Sequence, residues 1–302
     1  MDCLDEVTKS ALAAIIIPVI MNPSDIIISY SLALYSNWYY HKPTRCLFDA
    51  GEGVATSMGK KIFAIRDVFL THGHEDHIAG ISNLVNIRNL ASGERDKPLT
   101  IYYPKHDPWI NALFEYIEKK QSGMLRYPLY AQPLEPGEVV DIKGARRPTK
   151  VVAFEMKHAK GQLCLGYEID QERKEVDAIT GQIMYKNHSI FFYTGDGYEP
   201  CHSPYGRADI ALFEATFLAR DAGEAATNVD HRHATVRGAI DWAASADVKA
   251  LILCHISDRY TIEEVIEEAA AMRSKYGFRG DLYIAYREKI VTVYRCVPEG
   301  KR

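Results

Sequence analysis

The 302-residue sequence contains no closely spaced pair of cysteines. Its six cysteines are scattered along the chain and never form a C-x-x-C pattern. Disulfide-stabilised secreted domains and thiolate zinc sites both depend on such spacing, so the sequence argues against both classes. Reduced thiols in a cytoplasmic enzyme explain the pattern most simply, and we expect a cytoplasmic location.

The sequence also lacks a segment that could cross a membrane. Its most apolar stretch, residues 11–20, contains Pro18 and is too short to span a bilayer. Acidic residues precede this stretch, whereas a signal peptide begins with basic ones. We therefore expect a buried strand at residues 15–20 and no membrane partner.

A large excess of either charge is absent as well. The formal net charge is -4, with 25% charged and 47% hydrophobic residues, and these are ordinary values for a soluble globular protein. A broad basic face is therefore not expected, and a nucleic acid would have to bind at a local patch.

Short apolar segments alternate with helical patterns along the chain, without internal repeats or a long linker. The apolar runs predict strands at residues 26–35, 46–48, 67–70, 151–156, 163–169, 189–194, 210–214, 250–254, 282–286 and 290–294. Amphipathic patterns predict helices at residues 77–90, 109–120, 234–244 and 261–276, the last with a Thr261–Glu264 capping box and a stop at Gly277. The connection at residues 170–187 is charged and rich in turn-forming residues. We expect one α/β domain over residues 1–302, with two sheets packed face to face and helices outside.

Residues 71–80, Thr-His-Gly-His-Glu-Asp-His-Ile-Ala-Gly, carry the strongest functional signal. Within six positions they contain four side chains that can bind a metal ion: His72, His74, Asp76 and His77. The first three are spaced two apart, which suits an extended chain leaving a strand. His77 breaks this alternation and can serve a second ion. Two metal ions about 3.5–4 Å apart can clamp an in-line displacement at phosphorus or carbon.

Three further candidate ligands follow predicted strands elsewhere in the chain. They are His158, Asp196 and His255. Asp196 has a glycine on each side, which allows the backbone to turn and bring the carboxylate close to an ion. Loops that begin where a buried strand ends often carry active-site residues. We therefore include these three side chains in the candidate metal site.

These motifs and several others occur in an order that resembles the metallo-β-lactamase-fold hydrolases, and among them ribonuclease Z and its phosphodiesterase relatives. The matching segments are Phe48-Asp49-Ala50-Gly51-Glu52-Gly53, the motif at residues 72–77, His158, Gly195-Asp196, Glu214-Ala215-Thr216-Phe217, His233-Ala234-Thr235 and His255-Ile256-Ser257-Asp258-Arg259-Tyr260. Together they extend from about residue 26 to the end of the chain. The resemblance implies an αββα sandwich, in which two mixed β-sheets are flanked by helices.

The resemblance also implies a centre with two zinc ions, although manganese or iron could occupy the same ligands. One ion would be held by His72, His74 and His158, the other by Asp76, His77 and His255, and Asp196 would bridge the pair. A hydroxide shared by the ions would attack phosphorus, and Asp76 would help to orient or deprotonate it.

Two charged side chains outside the ligand set receive a catalytic role from the resemblance. Glu214 and His233 would form a pair in which His233 stabilises the developing charge or protonates the leaving oxygen. Asp49 would either accept a hydrogen bond from a ligand imidazole or cap its own turn. Arg259 could bind a phosphate or anchor the helix that follows it.

The substrate stays open at this point. Ribonuclease Z proteins often carry a long tRNA-gripping arm, but here the interval of residues 159–195 fits only a short charged hairpin around residues 168–188. The first hypothesis is an endonuclease that processes the 3′ end of precursor tRNA, and the second, favoured by the short hairpin, is a phosphodiesterase for a small or cyclic nucleotide. A thioester, lactone or β-lactam hydrolase is a third hypothesis, and a non-enzymatic binding protein is a fourth. The Glu214–His233 pair argues against the third, and the complete ligand set argues against the fourth. The resemblance also suggests a homodimer.

Overall fold

The computed structural model describes residues 22–90, 97–177, 180–200, 208–223 and 232–296, so the strand predicted at residues 15–20 lies outside the described residues. One sheet has six strands in these ranges, arranged in sequence order. They are β1 (Ile27–Leu32), β2 (Ser36–His41), β3 (Cys46–Phe48), β4 (Asp67–Phe69), β5 (Leu99–Pro104) and β6 (Leu129–Leu134). The strands β1 to β3 pair antiparallel, and β3 to β6 pair parallel, so the sheet is mixed.

The second sheet has nine strands in the described part of the chain. They are β7 (Val139–Asp141), β8 (Thr149–Lys157), β9 (Cys164–Val176), β10 (Ile183–Tyr193), β11 (Glu199–Pro200), β12 (Ala211–Glu214), β13 (Ala250–Cys254), β14 (Asp281–Tyr286) and β15 (Lys289–Tyr294). Their spatial order is β11-β8-β9-β10-β12-β13-β14-β15, and β7 pairs with β8. Strands β8 and β10 are both antiparallel to β9, whereas β10, β12 and β13 are parallel to one another. Because β14 is also parallel to β13, five strands of the described part end at the same edge of this sheet.

Helices cover the outer faces of both sheets. They are α1 (Pro23–Ile26), α2 (Val54–Met58), α3 (Glu75–Ile78), α4 (Ile81–Leu90), α5 (Pro108–Gln121), α6 (Val236–Ser245) and α7 (Ile262–Tyr276). Short 3₁₀ turns occur at Gly59–Ala64 and Ala219–Asp221. Within the described ranges, no helix has the combined length and apolar composition that crossing a bilayer requires.

The core consists of three apolar layers. Aromatic side chains fill the space between the sheets, where the rings of Phe48 and Phe191 are 4.9 Å apart and those of Phe69 and Tyr167 are 5.2 Å apart. The helices α2, α4 and α5 pack on the first sheet, and α6 and α7 pack on the second. The predicted αββα sandwich is confirmed.

Most of the predicted elements are present with shifted ends, and the predicted capping box starts α7. The helix predicted at residues 77–90 is divided into α3 and α4, because the backbone groups of His77 and Gly80 bond to Ala50. The connection predicted at residues 170–187 is mostly strand, since β9 and β10 extend through it as a long hairpin. Cross-strand ion pairs such as Lys186–Glu175, at 2.9 Å, support charged residues in these exposed strands.

The turn after β3 lies so close to the loop after β4 that two positions require glycine. A Cβ atom at Gly80 would overlap the carbonyl oxygen of Gly51, and one at Gly51 would overlap the carbonyl oxygen of Asp76. Two hydrogen bonds clamp the segments together, from Ala50 N to His77 O at 2.7 Å and from Gly80 N to Ala50 O at 2.8 Å. This contact fixes the position of the segment that carries Asp76 and His77.

The substitution Gly80→Ala tests this contact. We expect it to lower the free energy of unfolding by about 1–3 kcal/mol, because the new methyl group meets backbone atoms that cannot rotate away. Denaturant unfolding of the two proteins measures the difference. Gly223→Ala is the matched control, since a Cβ atom there meets no heavy atom of a described residue within 4 Å. Equal unfolding midpoints for Gly80→Ala and the wild type would contradict the interpretation.

Candidate metal centre

The candidate ligands lie at the carboxyl ends of strands from both sheets. His72 and His74 are in the loop after β4, and Asp76 and His77 are in the short helix α3 that follows. In the second sheet, the remaining candidates come directly after β8, β10 and β13, whose ends share one edge. These are His158, Asp196 and His255. The parallel arrangement of the strands thus brings together residues that are far apart in the sequence.

Among the described residues, the side chains form three groups with donor atoms within 4.8 Å of one another, and two of these contain the predicted ligands; the third joins Asp196 and His255 to His233. Of the first two, one group consists of His72, His74, His158 and Asp196, and the other of Asp76, His77 and His255. The resemblance implied the same two sets of histidines, with Asp196 shared between them. Two donors bound to one tetrahedral zinc ion lie about 3.3 Å apart. The distances of 2.9 Å from His72 Nε2 to His74 Nδ1, and of 3.2 Å from His255 Nε2 to Asp76 Oδ2, are close to this value.

Asp196 lies between the two groups. Its Oδ1 is 3.3 Å from His77 Nε2, and its Oδ2 is 3.2 Å from His255 Nε2 and 3.8 Å from His72 Nε2. Oδ1 of Asp196 and Nε2 of His77 are buried and form no hydrogen bond with a described residue. Buried polar atoms of this kind need a partner, and a shared metal ion would supply one. The donor set therefore fits a pair of divalent ions.

A buried carboxylate orients the imidazoles of the loop after β4. Asp49 Oδ2 lies 2.8 Å from His77 Nδ1, so this ring donates to Asp49 and turns Nε2 toward Asp196. The Thr71 hydroxyl lies 2.9 Å from the same carboxylate oxygen and 3.0 Å from His72 Nδ1. This hydroxyl can donate a hydrogen bond to Asp49 and accept one from His72 Nδ1. The proton of the His72 ring is then on Nδ1, and the unprotonated Nε2 can bind a metal ion.

A second carboxylate has the same arrangement on the other side of the centre. The Thr216 hydroxyl donates to Glu214 Oε2 at 2.6 Å and lies 2.8 Å from His255 Nδ1. Glu214 Oε1 is 2.9 Å from His233 Nδ1 and accepts the backbone N–H of Gly197 at 2.7 Å. Glu214 therefore orients both His255 and His233 while it fixes the loop that carries Asp196.

The sequence predicted the candidate ligands, which the structure brings together, but not all of the residues that orient them. Asp49 accepts a hydrogen bond from the candidate ligand His77, which is one of the two roles that the sequence suggested for it. The threonines at positions 71 and 216 were not predicted, although each lies within a matching motif. Arg232 was not predicted either; its carbonyl oxygen is 2.8 Å from His158 Nδ1. The guanidinium of Arg259 lies 5.1 Å from the centroid of the Phe217 ring.

Comparisons with known proteins agree with this arrangement. A family model described as the beta-lactamase superfamily domain matches residues 44–256. Ribonuclease Z of Halobacterium salinarum is 30% identical over 279 residues, which cover 80% of this chain and 85% of that protein. The chain belongs to the ribonuclease Z family of this superfamily. It is therefore a hydrolytic enzyme.

Solved structures of the same fold match nearly the whole chain of this ribonuclease Z family member. Human tRNase Z, short form, has a TM-score of 0.61 at 20% identity and covers 89% of this chain and 99% of its own. Zn(2+)-bound PqqB from Methylobacterium extorquens has a TM-score of 0.57 at 13% identity, with 88% and 99% covered. At these identities the likeness concerns the fold.

The buried charges of this ribonuclease Z family member suit metal binding. Burial alone would raise the pKa of Asp196, but His255 and His77 hold it well below its usual range. Burial lowers the pKa of His72 well below its usual range, and His77 lowers it further. An ionised carboxylate and a neutral imidazole are the forms that bind a metal ion. Burial would lower the pKa of His77 as well, but Asp196 and Asp76 raise it well above its usual range, so this ring must lose a proton when it binds an ion.

His233 has the opposite electrostatic character. Burial would lower its pKa, but the neighbouring carboxylate of Glu214 raises it to about 9. The ring lies between two candidate ligands, with ring centroids 4.7 Å from His158 and 5.3 Å from His255. Because Nδ1 is held by Glu214, the proton on Nε2 is the one that a substrate can receive.

The Thr216→Val substitution tests the orientation of His255. It removes the hydroxyl that holds this ring and keeps the shape of the side chain. We expect about 10–100-fold weaker binding of zinc, the usual cost of losing a group that orients a metal ligand. Calorimetric titration with zinc gives the affinity, and Thr292→Val, on an exposed strand, is the matched control. Unchanged zinc affinity in Thr216→Val would show that the hydroxyl does not orient the ring.

Proposed function

We propose that this chain is a dinuclear zinc-dependent phosphodiesterase that cleaves precursor tRNA at its 3′ end. The observation that supports this most strongly is the pair of ligand groups that share Asp196, with the charged His233 beside them. Relatives named Ribonuclease Z, at 30% identity over most of the chain, support RNA as the substrate class. The homodimer and the cytoplasmic location stay predictions.

The proposed ligands divide between the ions as the geometry groups them. His72, His74 and His158 would hold one ion, Asp76, His77 and His255 the other, and Asp196 both. Imidazole and carboxylate donors suit zinc, and manganese or iron could replace it. When bound, the ions would lower the pKa of a water molecule and neutralise charge on the phosphoryl group.

Asp76 has a second proposed task beside ligation. Its Oδ2 accepts from Asn37 Nδ2 at 3.0 Å and from the backbone N–H of Leu34 at 3.2 Å. His77 and His255 outweigh burial and lower the pKa of its carboxyl group, so it stays ionised. An ionised carboxylate held in this way can orient an attacking water molecule or take its proton.

His233 would act on the opposite side of phosphorus. The leaving oxygen of a phosphodiester departs as an alkoxide, which needs a proton or a cation. His233 carries a proton at neutral pH because Glu214 raises its pKa to about 9. It would donate this proton from Nε2, and Glu214 would stabilise the charged ring before the transfer.

A cleavage assay on precursor tRNA with a 3′ trailer tests the proposal. With zinc or manganese present, we expect a cut at the end of the acceptor stem. Asp76→Ala should lower the rate by at least about a hundredfold, because it removes a ligand and a positioned base. Asp241→Ala, on the exposed face of α6, is the matched control and should cleave at the wild-type rate.

The hairpin of β9 and β10 is the reason to consider a second substrate class. The strands β9 and β10 form a simple hairpin, and residues 159–195 hold no long arm in their described part. If precursor tRNA stays uncut while a bis-aryl phosphodiester is hydrolysed, a small or cyclic nucleotide becomes the better substrate. If neither is hydrolysed, the phosphodiesterase proposal is wrong, and thioesters and lactones should be tested.

The proton donated by His233 can be tested with two leaving groups. His233→Ala should slow RNA cleavage by about 10²–10⁴-fold, because the leaving sugar oxygen needs a proton. Hydrolysis of bis(4-nitrophenyl) phosphate should change far less, because nitrophenolate leaves without one. His188→Ala, on the hairpin and paired with Glu175, is the matched control. Equal losses on both substrates would rule out proton donation.

A further inference from the structure

A cavity of about 290 Å³ opens beside His233. Its lining includes Tyr198, Arg232, Thr235 and Gly238. Ligand pockets range from about 300 to 1,000 Å³, so this volume suits a ligand no larger than about one nucleotide. The proposed cleavage assigns a role to His233 in this lining but none to the rest of the cavity, because the candidate metal ligands lie outside it.

The backbone fixes Arg232 relative to the metal centre. Its N–H donates to the carbonyl oxygen of His158 at 3.1 Å, and its own carbonyl oxygen accepts from His158 Nδ1 at 2.8 Å. These two hydrogen bonds to His158 fix the position of the Arg232 backbone relative to that candidate ligand. The side chain therefore starts from a defined point beside the centre and extends along the cavity wall.

Within the described residues, the guanidinium of Arg232 forms one hydrogen bond with a side chain. Nη1 donates to the hydroxyl of Tyr198 at 3.2 Å, and the group lies 5.5 Å from the centroid of that ring. Among the side chains that the structure describes, no carboxylate forms an ion pair with it. A guanidinium has five N–H donors, so donors and a full positive charge remain for an anion.

The direction of the reaction determines which part of a substrate meets this cavity. In an in-line displacement, the attacking and leaving oxygens lie on opposite sides of phosphorus. The proposed function puts the leaving oxygen on the His233 side of phosphorus, so the group that carries this oxygen extends past His233. The cavity lined by His233 and Arg232 begins at that point.

We propose that this cavity binds the nucleotide on the leaving-group side of the scissile bond, and that Arg232 binds the next phosphate of the chain on that side. The inference rests on the proposed phosphodiesterase function. Arg232 selects polynucleotides over isolated phosphodiesters, because only a polynucleotide carries a second phosphate there. Phosphate and guanidinium form charge-assisted hydrogen bonds, which are stronger than neutral ones.

A double substitution in enzyme and substrate tests the contact. Arg232→Gln removes the charge and keeps an N–H donor for Tyr198. Two modified precursor tRNAs are compared with the unmodified one. In each of them a neutral methylphosphonate replaces one of the two phosphates that neighbour the scissile phosphate. The termini of the products identify the leaving side. With the wild type, neutralising the leaving-side phosphate should lower kcat/KM about tenfold or more. With Arg232→Gln, the unmodified RNA should already show that loss, and neutralisation should add little.

Three controls separate this contact from a general effect of charge. Arg232→Lys should recover part of the loss. Arg237→Gln, on α6 with its guanidinium near Tyr276, removes a charge outside the cavity lining and should leave the response to neutralisation unchanged. Bis(4-nitrophenyl) phosphate has no second phosphate, so Arg232→Gln should lose far less activity on this substrate than on the RNA.

Failure of the contact and failure of the proposed function give different results. Suppose that the wild type cleaves the RNA, and that neutralising the leaving-side phosphate lowers kcat/KM by the same factor in Arg232→Gln as in the wild type. The two changes then act independently, and the assignment of Arg232 is wrong. The assignment is also wrong if neutralising either neighbouring phosphate has the same effect. If the wild type cleaves no unmodified RNA, the proposed function fails, and this assignment fails with it.

Discussion

The buried carboxylate of Asp49 is the interaction on which the rest of the centre depends. It accepts hydrogen bonds from the Thr71 backbone N–H at 2.8 Å, from His77 at 2.8 Å and from the Tyr193 hydroxyl at 2.6 Å. Asp49 follows β3 in the first sheet, and Tyr193 ends β10 in the second. One side chain thus joins both sheets to the loop that carries the metal motif. A buried carboxylate is tolerated only when such donors surround it, so its loss would leave several groups unsatisfied at once.

The same chain of hydrogen bonds, from a carboxylate through a threonine hydroxyl to an imidazole, occurs on both sides of the centre. Thr71 connects Asp49 to His72, and Thr216 connects Glu214 to His255. A hydroxyl that donates its one proton to a carboxylate can only accept from the imidazole, so the ring must be protonated at Nδ1. The tautomer with Nε2 free for a metal ion follows from this hydrogen bond. Position and protonation of both ligands are therefore fixed by buried groups before any ion binds.

The sequence was sufficient for the fold class and for bringing the candidate ligands to attention, because both depend on local pattern. Spacing within residues 71–80 and the position of His158, Asp196 and His255 after apolar runs can be read without tertiary structure. The division of α3 from α4 could not be predicted, because it arises from hydrogen bonds between Ala50 and a segment about 30 residues away. The hairpin predicted around residues 168–188 is present, but its strands are longer than predicted, for another reason. Its strands are exposed and charged, so they lack the apolar pattern by which a strand is recognised.

Arg232 shows why the chemistry of such a site is easier to predict than its substrate. The ligands come from strand ends held by directional hydrogen bonds in the interior, which are insensitive to salt. Groups that choose a substrate lie on partly exposed loops, where charge acts at longer range and is screened by ions. Arg232 belongs to both classes, since its backbone carbonyl orients His158 while its guanidinium lines the adjoining cavity. A change of side chain at this position can therefore alter substrate choice while the backbone continues to hold the metal ligand.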